Sequence, residues 1–188
     1  MFHGRGLETL SQVEITDSFR RLREELLRMA YATYMCELVD EFIREKERQE
    51  ALFLLLLATL HLLEAESEPA PLARAFELKL LALLGFRPQL EACVHCGEPA
   101  VGAEVRFSPE LGGVLGPQCP SEGGSVLRLS RGSLETMRHL LTGDLRRAHV
   151  VRLDPATGAE VERALEAYIE LRLEKRLKSR DFLRQIAR

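Results

Sequence analysis

The sequence contains no tryptophan, only 6% aromatic residues, and four cysteines in 188 positions. So few cysteines exclude a disulfide scaffold, and 13 glycines with 8 prolines are too few for a collagen-like or low-complexity chain. The longest apolar run, Ala51–Leu63, is thirteen residues interrupted by Thr59 and His61, well short of the ~20 needed to span a bilayer. The first twenty residues carry Arg5, Glu8, Glu14, Asp17 and Arg20 and no apolar segment of a secretory signal. The expectation is a cytoplasmic protein without a membrane partner. Charge of one sign is also missing: 26 basic side chains face 29 acidic ones, a net charge of -3, so the totals do not suggest a strongly basic nucleic-acid binder. His3, His61, His95, His139 and His149 are scattered, with no metal pair at i and i+4, no phosphate-binding glycine loop and no nucleophile elbow. No enzymatic activity is expected.

What is present is helical pattern. At 46% hydrophobic, a chain of this size makes about one domain and buries about 70% of its unfolded surface. Ser11 and Glu14 have the capping-box spacing, and Phe19, Leu22, Leu26, Met29, Ala30, Leu38 and Phe42 keep a three-to-four period, predicting one long helix to about Glu45. A second helix, about 49–65, is apolar nearly all round and is expected at the centre of the bundle, with His61 a core histidine. A third runs from about 72 to 84 and stops at Gly85. Further helices are expected over 130–141 and, opened by a Thr157–Glu160 capping box, over about 157–177, with a last turn or two in 181–188. Cys36 is assigned to packing within the first helix.

Residues 86–124 differ: they hold more than half of the glycines, five of the eight prolines and three of the four cysteines. Val105–Phe107 and Gly113–Leu115 predict a hairpin. The fold class expected is therefore mainly α, a helical bundle with a small zinc-ribbon-like β insert at 86–124.

Cys93-Val-His-Cys96 is a C-x-x-C knuckle, and Cys119 follows at zinc-ribbon distance, but Gly116 stands where a complete second knuckle has its other cysteine. Three readings remain open. Zinc binds Cys93, Cys96 and Cys119 with a histidine or water as fourth ligand; the module is a metal-free remnant of a ribbon; or Cys93 and Cys96 are a redox pair, which would require a strand before and a helix after them. His95 inside the knuckle is not expected to ligate.

Charge is segregated along the chain. Residues 37–68 carry nine acidic and three basic side chains, whereas 171–188 carry Arg172, Lys175, Arg176, Lys178, Arg180, Arg184 and Arg188 against Glu174 and Asp181. A basic cluster contacts phosphates by counterion release, or is simply a solvated helix end favoured by the helix dipole. Arg172, Lys175, Arg176, Lys178 and Arg180 are the candidate DNA-binding residues.

An ordered set of segments resembles the bacterial recombination mediators of the RecO family. They are Gly4-Arg-Gly-Leu7, Leu10-Ser-Gln-Val-Glu14, Tyr34-Met-Cys-Glu-Leu38, Leu52-Phe53 and Phe76 to Pro88. Then follow Cys93-Val-His-Cys-Gly97, Phe107-Ser-Pro with Gly112-Gly-Val114, Tyr168, and Leu177-Lys-Ser-Arg180 with Phe182-Leu183. The resemblance implies a DNA repair protein of the nucleoid without turnover. It would bind single- and double-stranded DNA, support strand annealing, contact RecR and single-strand-binding protein, and help load RecA. It also implies an N-terminal OB barrel before a helical domain. Residues 1–10 resemble only the barrel's last strand and linker, leaving 11–188 as the helical domain. The alternative function is a helical protein-interaction scaffold with a degenerate zinc ribbon and no affinity for DNA.

Overall fold

The computed structural model describes residues 12–43, 49–65 and 68–186. Residues 1–10, the proposed barrel remnant, and Ser11, the expected cap, lie outside them, as does Glu45, the expected end of the first helix. In chain order the elements are α1 (Arg20–Glu24), α2 (Leu26–Phe42), α3 (Glu50–Ala65) and α4 (Pro69–Leu83). They are followed by β1 (Glu104–Ser108), β2 (Gly113–Leu115), β3 (Leu127–Ser130), α5 (Arg131–Thr142), a 3-10 helix (Leu145–Val150), α6 (Pro155–Leu173) and α7 (Lys178–Ile186).

The single long first helix is interrupted. Glu25 is extended (φ -112°, ψ 114°), which separates α1 from α2. Asp17 accepts a hydrogen bond from the Phe19 N–H (2.9 Å) ahead of the helix start at Arg20. The break lets α1 fold over the end of α3, where the Arg21 N–H donates to Glu64 (3.1 Å) and the Arg28 guanidinium donates to the Leu63 carbonyl. Contacts distant in sequence thus override a continuous helical period.

The centre of the bundle is α4, not α3. Eleven of the fifteen α4 residues are buried, and the helix packs against α2, α3, α5, α6 and the 3-10 helix. Its small Ala73 and Ala75 admit close neighbours, while Leu72, Phe76, Leu78, Leu80 and Leu81 fill the core, each side chain contributing about 1.5–3 kcal/mol on burial. By contrast α3 buries only Leu52, Thr59 and Leu63, and it leaves Phe53 and Leu54 more than half exposed. A helix that is leucine on every side carries no signal for which side faces in. His61 is accordingly not a core residue: it is half-exposed, packs tilted against Phe19 (5.0 Å between ring centroids), and lies 3.4 Å from Asp17.

Helix α4 ends where expected. Gly85 is left-handed (φ 82°), and the N–H groups of Gly85 and Phe86 return to the carbonyls of Ala82 (3.2 Å) and Leu81 (2.8 Å), the paired bonds of a Schellman stop.

The predicted hairpin is present, with Phe107 opposite Val114 and Arg106 opposite Leu115. A third strand, β3, joins it on the other side, giving the order β2-β1-β3. Val105 and Phe107 are buried, whereas Glu104 and Arg106 point to the outer face. That alternation turns the sheet's apolar side onto the helices, with Phe107 meeting Tyr168 of α6 edge to face at 6.0 Å.

The Thr157–Glu160 capping box is replaced by another arrangement. Asp154 caps α6, accepting from the N–H groups of Ala156 and Thr157 (both 3.0 Å), and α6 stops at Leu173 with Glu174 left-handed. Glu160 instead reaches across to the start of α5, accepting from the Ser130 N–H (2.7 Å) and the Ser133 hydroxyl (2.6 Å). Those two donors hold its carboxyl below the usual range. Because the folded-state pKa is depressed, this contribution is present above the unfolded carboxylate's pKa and is lost as pH falls through the folded one. Glu160→Gln is therefore expected to cost about 1–2 kcal/mol at pH 7. In denaturant titrations the difference from the parent should shrink in acid; a penalty constant down to pH 3 would exclude this origin.

Candidate metal centre and basic surface

The first cysteine knuckle is held against the sheet by its backbone. The Gln89 N–H donates to the Gly112 carbonyl and the Val94 N–H to the Val114 carbonyl (each 2.9 Å). Within the knuckle the Cys93 N–H donates to Glu98 and the Gly97 N–H returns to Cys93 (2.8 and 2.9 Å). This tight turn needs Gly97 at φ 76°. The second knuckle is the 116–119 turn, closed by the Cys119 N–H on the Gly116 carbonyl (3.2 Å). Arg106 clamps it from β1, its Nη1 donating to the carbonyls of Cys119 (2.7 Å), Gly116 (3.1 Å) and Pro117 (3.3 Å).

These constraints gather three sulfurs that are far apart in sequence. The Sγ atoms of Cys93, Cys96 and Cys119 lie within 4.8 Å of one another, and together they could hold a metal ion. Cys93 is buried, Cys96 is exposed and Cys119 is intermediate. Burial opposes ionisation of Cys93, but N–H groups, including those of Gly116 (3.1 Å) and His95 (3.4 Å), and the Cys96 thiol point at its sulfur. The outcome is a thiol lowered to about 6. Cys119 moves the other way, to about 11, because its thiol is engaged by the sulfurs of Cys96 and Cys93 and is partly desolvated. These donors favour the thiolate at Cys93, the form that ligates metals.

Position 116 completes the geometry in an unexpected way. A Cβ built there would lie 3.2 Å from the Cys119 sulfur and 3.8 Å from each of the other two. The glycine therefore stands where a fourth thiolate would enter the cluster. His95 is exposed and does not join the group. No helix follows the knuckle, since residues 94–96 form a turn, so the arrangement a thioredoxin-type pair requires is not the one present.

The candidate DNA-binding residues separate into two kinds. Arg180 is buried, at 4% exposure. It donates to the Tyr34 hydroxyl (2.8 Å) and lies 3.7 Å from Glu166 and Glu170. Tyr34 in turn donates to Glu77 (2.5 Å), which also pairs with Arg74 (2.9 Å). Burial, then the Glu77 charge, pushes the Tyr34 phenol up; on Arg74 burial works downward but Glu77 prevails and raises it. Arg172 lies over the Tyr168 and Phe86 rings (4.6 and 5.8 Å) and reaches the Pro109 carbonyl (3.4 Å), bracing α6 against the loop before β2. Lys175, Arg176 and Lys178 are exposed at the α6–α7 turn. Lys175 pairs with Glu41 (2.5 Å), and Arg176 is 4.0 Å from Glu170 with its side chain 87% exposed.

A residue missed from sequence explains this division. Glu37, three positions after Tyr34, accepts from the Lys178 N–H (3.1 Å), the Ser179 N–H (2.8 Å) and the Ser179 hydroxyl, capping α7 from another helix. Burial would raise its carboxyl, but the Ser179 and Lys178 donors and the nearby Lys175 charge lower it. The Tyr34–Glu37 and Lys178–Arg180 segments are thus one contact, which no local pattern could reveal. Cys36, between them, is exposed rather than packed.

A helical bundle carrying a small three-stranded sheet with a zinc-finger-like cysteine cluster is the class of protein defined by this fold. The family model described as "Recombination protein O C terminal" matches residues 23–181. The chain is 63% identical over 186 residues to the DNA repair protein RecO of Symbiobacterium thermophilum, covering 97% of this chain and 74% of that one. It is 41% identical over 180 residues to the DNA repair protein RecO of Pelotomaculum thermopropionicum, covering 96% and 70%, and 39% identical over 184 residues to that of an Anaeromyxobacter species, covering 97% and 72%. The chain belongs to the RecO family, whose role is DNA repair and recombination. Among the described residues no helix is long and apolar enough to cross a membrane.

Proposed function

We propose that the chain acts in the nucleoid as a recombination mediator without catalytic turnover. It would bind single- and double-stranded DNA, support annealing, and help load RecA together with RecR and single-strand-binding protein. Family membership over almost the whole chain carries this reading. Lys175, Arg176 and Lys178 form the part of the basic cluster that can meet phosphates, because Arg180 and Arg172 are committed to interior contacts. The apolar α3 face around Phe53 and Leu54 is suited to a protein partner. Residues 11–188 would be the helical domain, with 1–10 the end of a preceding barrel. The cysteine triad would hold zinc.

Phosphate contacts carry no base information, so Lys175→Glu/Arg176→Glu/Lys178→Glu should weaken binding to all sequences alike. We expect a loss of about tenfold or more at low salt and a log–log salt slope shallower by about 2, measured by fluorescence anisotropy on a labelled oligonucleotide. Unchanged affinity would place the DNA surface elsewhere.

The pairing of Lys175 with Glu41 and the inward turn of Arg180 favour a second reading, a scaffold that binds only protein. Capture of RecR or single-strand-binding protein by a chain with no salt-sensitive DNA affinity would select it.

A further inference from the structure

The cysteine cluster is built as a three-ligand site with one side left open. Three sulfurs converge within 4.8 Å, and among the described residues no fourth histidine, cysteine or carboxylate joins them. The fourth direction is the one the Gly116 Cβ would take, and Gly116 has nothing to put there. The loop cannot easily rearrange to supply another donor, because three carbonyls of the second knuckle are fastened to Arg106. Beside the cluster lies a cavity of about 1090 Å³ bounded by Glu98, Val101, Pro117 and Gln118, ample for a five-membered ring.

Closed four-ligand zinc sites are structural, whereas three protein ligands leave a position for water or an incoming group. Charge selects what enters. Three thiolates around a divalent ion leave a net charge of -1, which disfavours a further anion arriving from solution, as distinct from a thiolate delivered by the chain itself, while a neutral imidazole suits zinc as a borderline donor. We propose that Cys93, Cys96 and Cys119 hold zinc with an exchangeable fourth position, occupied by water at rest and taken by a neutral imidazole donor of the kind a histidine side chain supplies. This rests on the reading that the triad binds metal. Ligand exchange here breaks the metal–water bond and forms a metal–nitrogen bond, with no change of oxidation state.

Cobalt(II) loading of the full chain separates the two claims. Thiolate-to-cobalt absorption at one equivalent reports metal binding by the triad. Imidazole should then shift the visible ligand-field bands saturably, while azide at the same concentration should act at least tenfold more weakly. Gly116→Cys should bind cobalt and lose the imidazole response; Gly116→Ala, whose methyl enters the open direction without a donor, should still bind cobalt but respond to imidazole at least several-fold more weakly. Cobalt bound by the parent with no imidazole response, or an equal response in Gly116→Cys, overturns the open position alone. A doubling of mass on metal loading, with the fourth ligand coming from a second copy, overturns it as well. Cobalt bound only by Gly116→Cys overturns the metal reading and this proposal with it.

Discussion

Glu77→Ala is expected to lower stability by about 3–5 kcal/mol, the cost of leaving a buried charge without its partner. Glu77 is fully buried on the central helix, accepts a hydrogen bond from Tyr34 and forms an ion pair with Arg74. Its removal leaves the Arg74 guanidinium, 7% exposed, without its ion-pair partner, and leaves the Tyr34 hydroxyl without its acceptor. Tyr34 is also what Arg180 holds, so α7 should loosen together with the core. A domain of this size is stable by only about 5–15 kcal/mol, and the loss corresponds to a Tm lower by about 10 °C. Glu77→Gln keeps an acceptor for Tyr34 and should lie between the two. Urea unfolding followed by circular dichroism measures this, and a cost below about 1 kcal/mol for the alanine variant would mean the network does not hold the bundle.

Gly113→Ala should disrupt the cysteine module specifically. A Cβ at this position would lie 2.5 Å from the Gln89 carbonyl oxygen and 2.6 Å from Val94 Cγ1, distances that real contacts do not reach. Gly113 is the point where the segment leading to the first knuckle crosses β2, bridged to Gln89, with Val94 donating to the neighbouring Val114 carbonyl. The added methyl must push the knuckle off the sheet, and with it Cys93 and Cys96 away from Cys119. We expect a loss of about 2–4 kcal/mol, in the range of overpacked cores and strained backbones, and at least tenfold weaker metal retention against a chelator. The helical far-UV signal should largely persist, because the bundle core lies on α4. Unchanged metal retention would show that the triad assembles independently of this crossing.

Much of the fold was legible from local pattern, and the exceptions share one cause. Helix α4, its glycine stop, the hairpin and the Ser130–Gly143 helix follow from spacing and capping within a few residues. The break at Glu25, the peripheral place of α3 and the reassignment of Glu160 do not, because each is decided by a partner dozens of residues away: Glu64 and Leu63, the crowded α4, Ser130 and Ser133. Uniform leucine in α3 announces burial without direction, and a carboxylate three residues after a threonine has the same spacing whether it caps its own helix or another.

The candidate site shows the same division. The sequence by itself determined the helical class, the family, the three cysteines and the missing fourth, because a C-x-x-C knuckle is a local turn and its ligands can be counted. It could also sum the charge of residues 171–188. Only the tertiary structure decided which of those cations remain outside. Arg180 turns inward because Tyr34, Glu166 and Glu170 meet it there, and Arg172 is taken by two aromatic rings. A charge gains from such partners only when the chain has brought them within a few ångströms, and that proximity is a property of the fold.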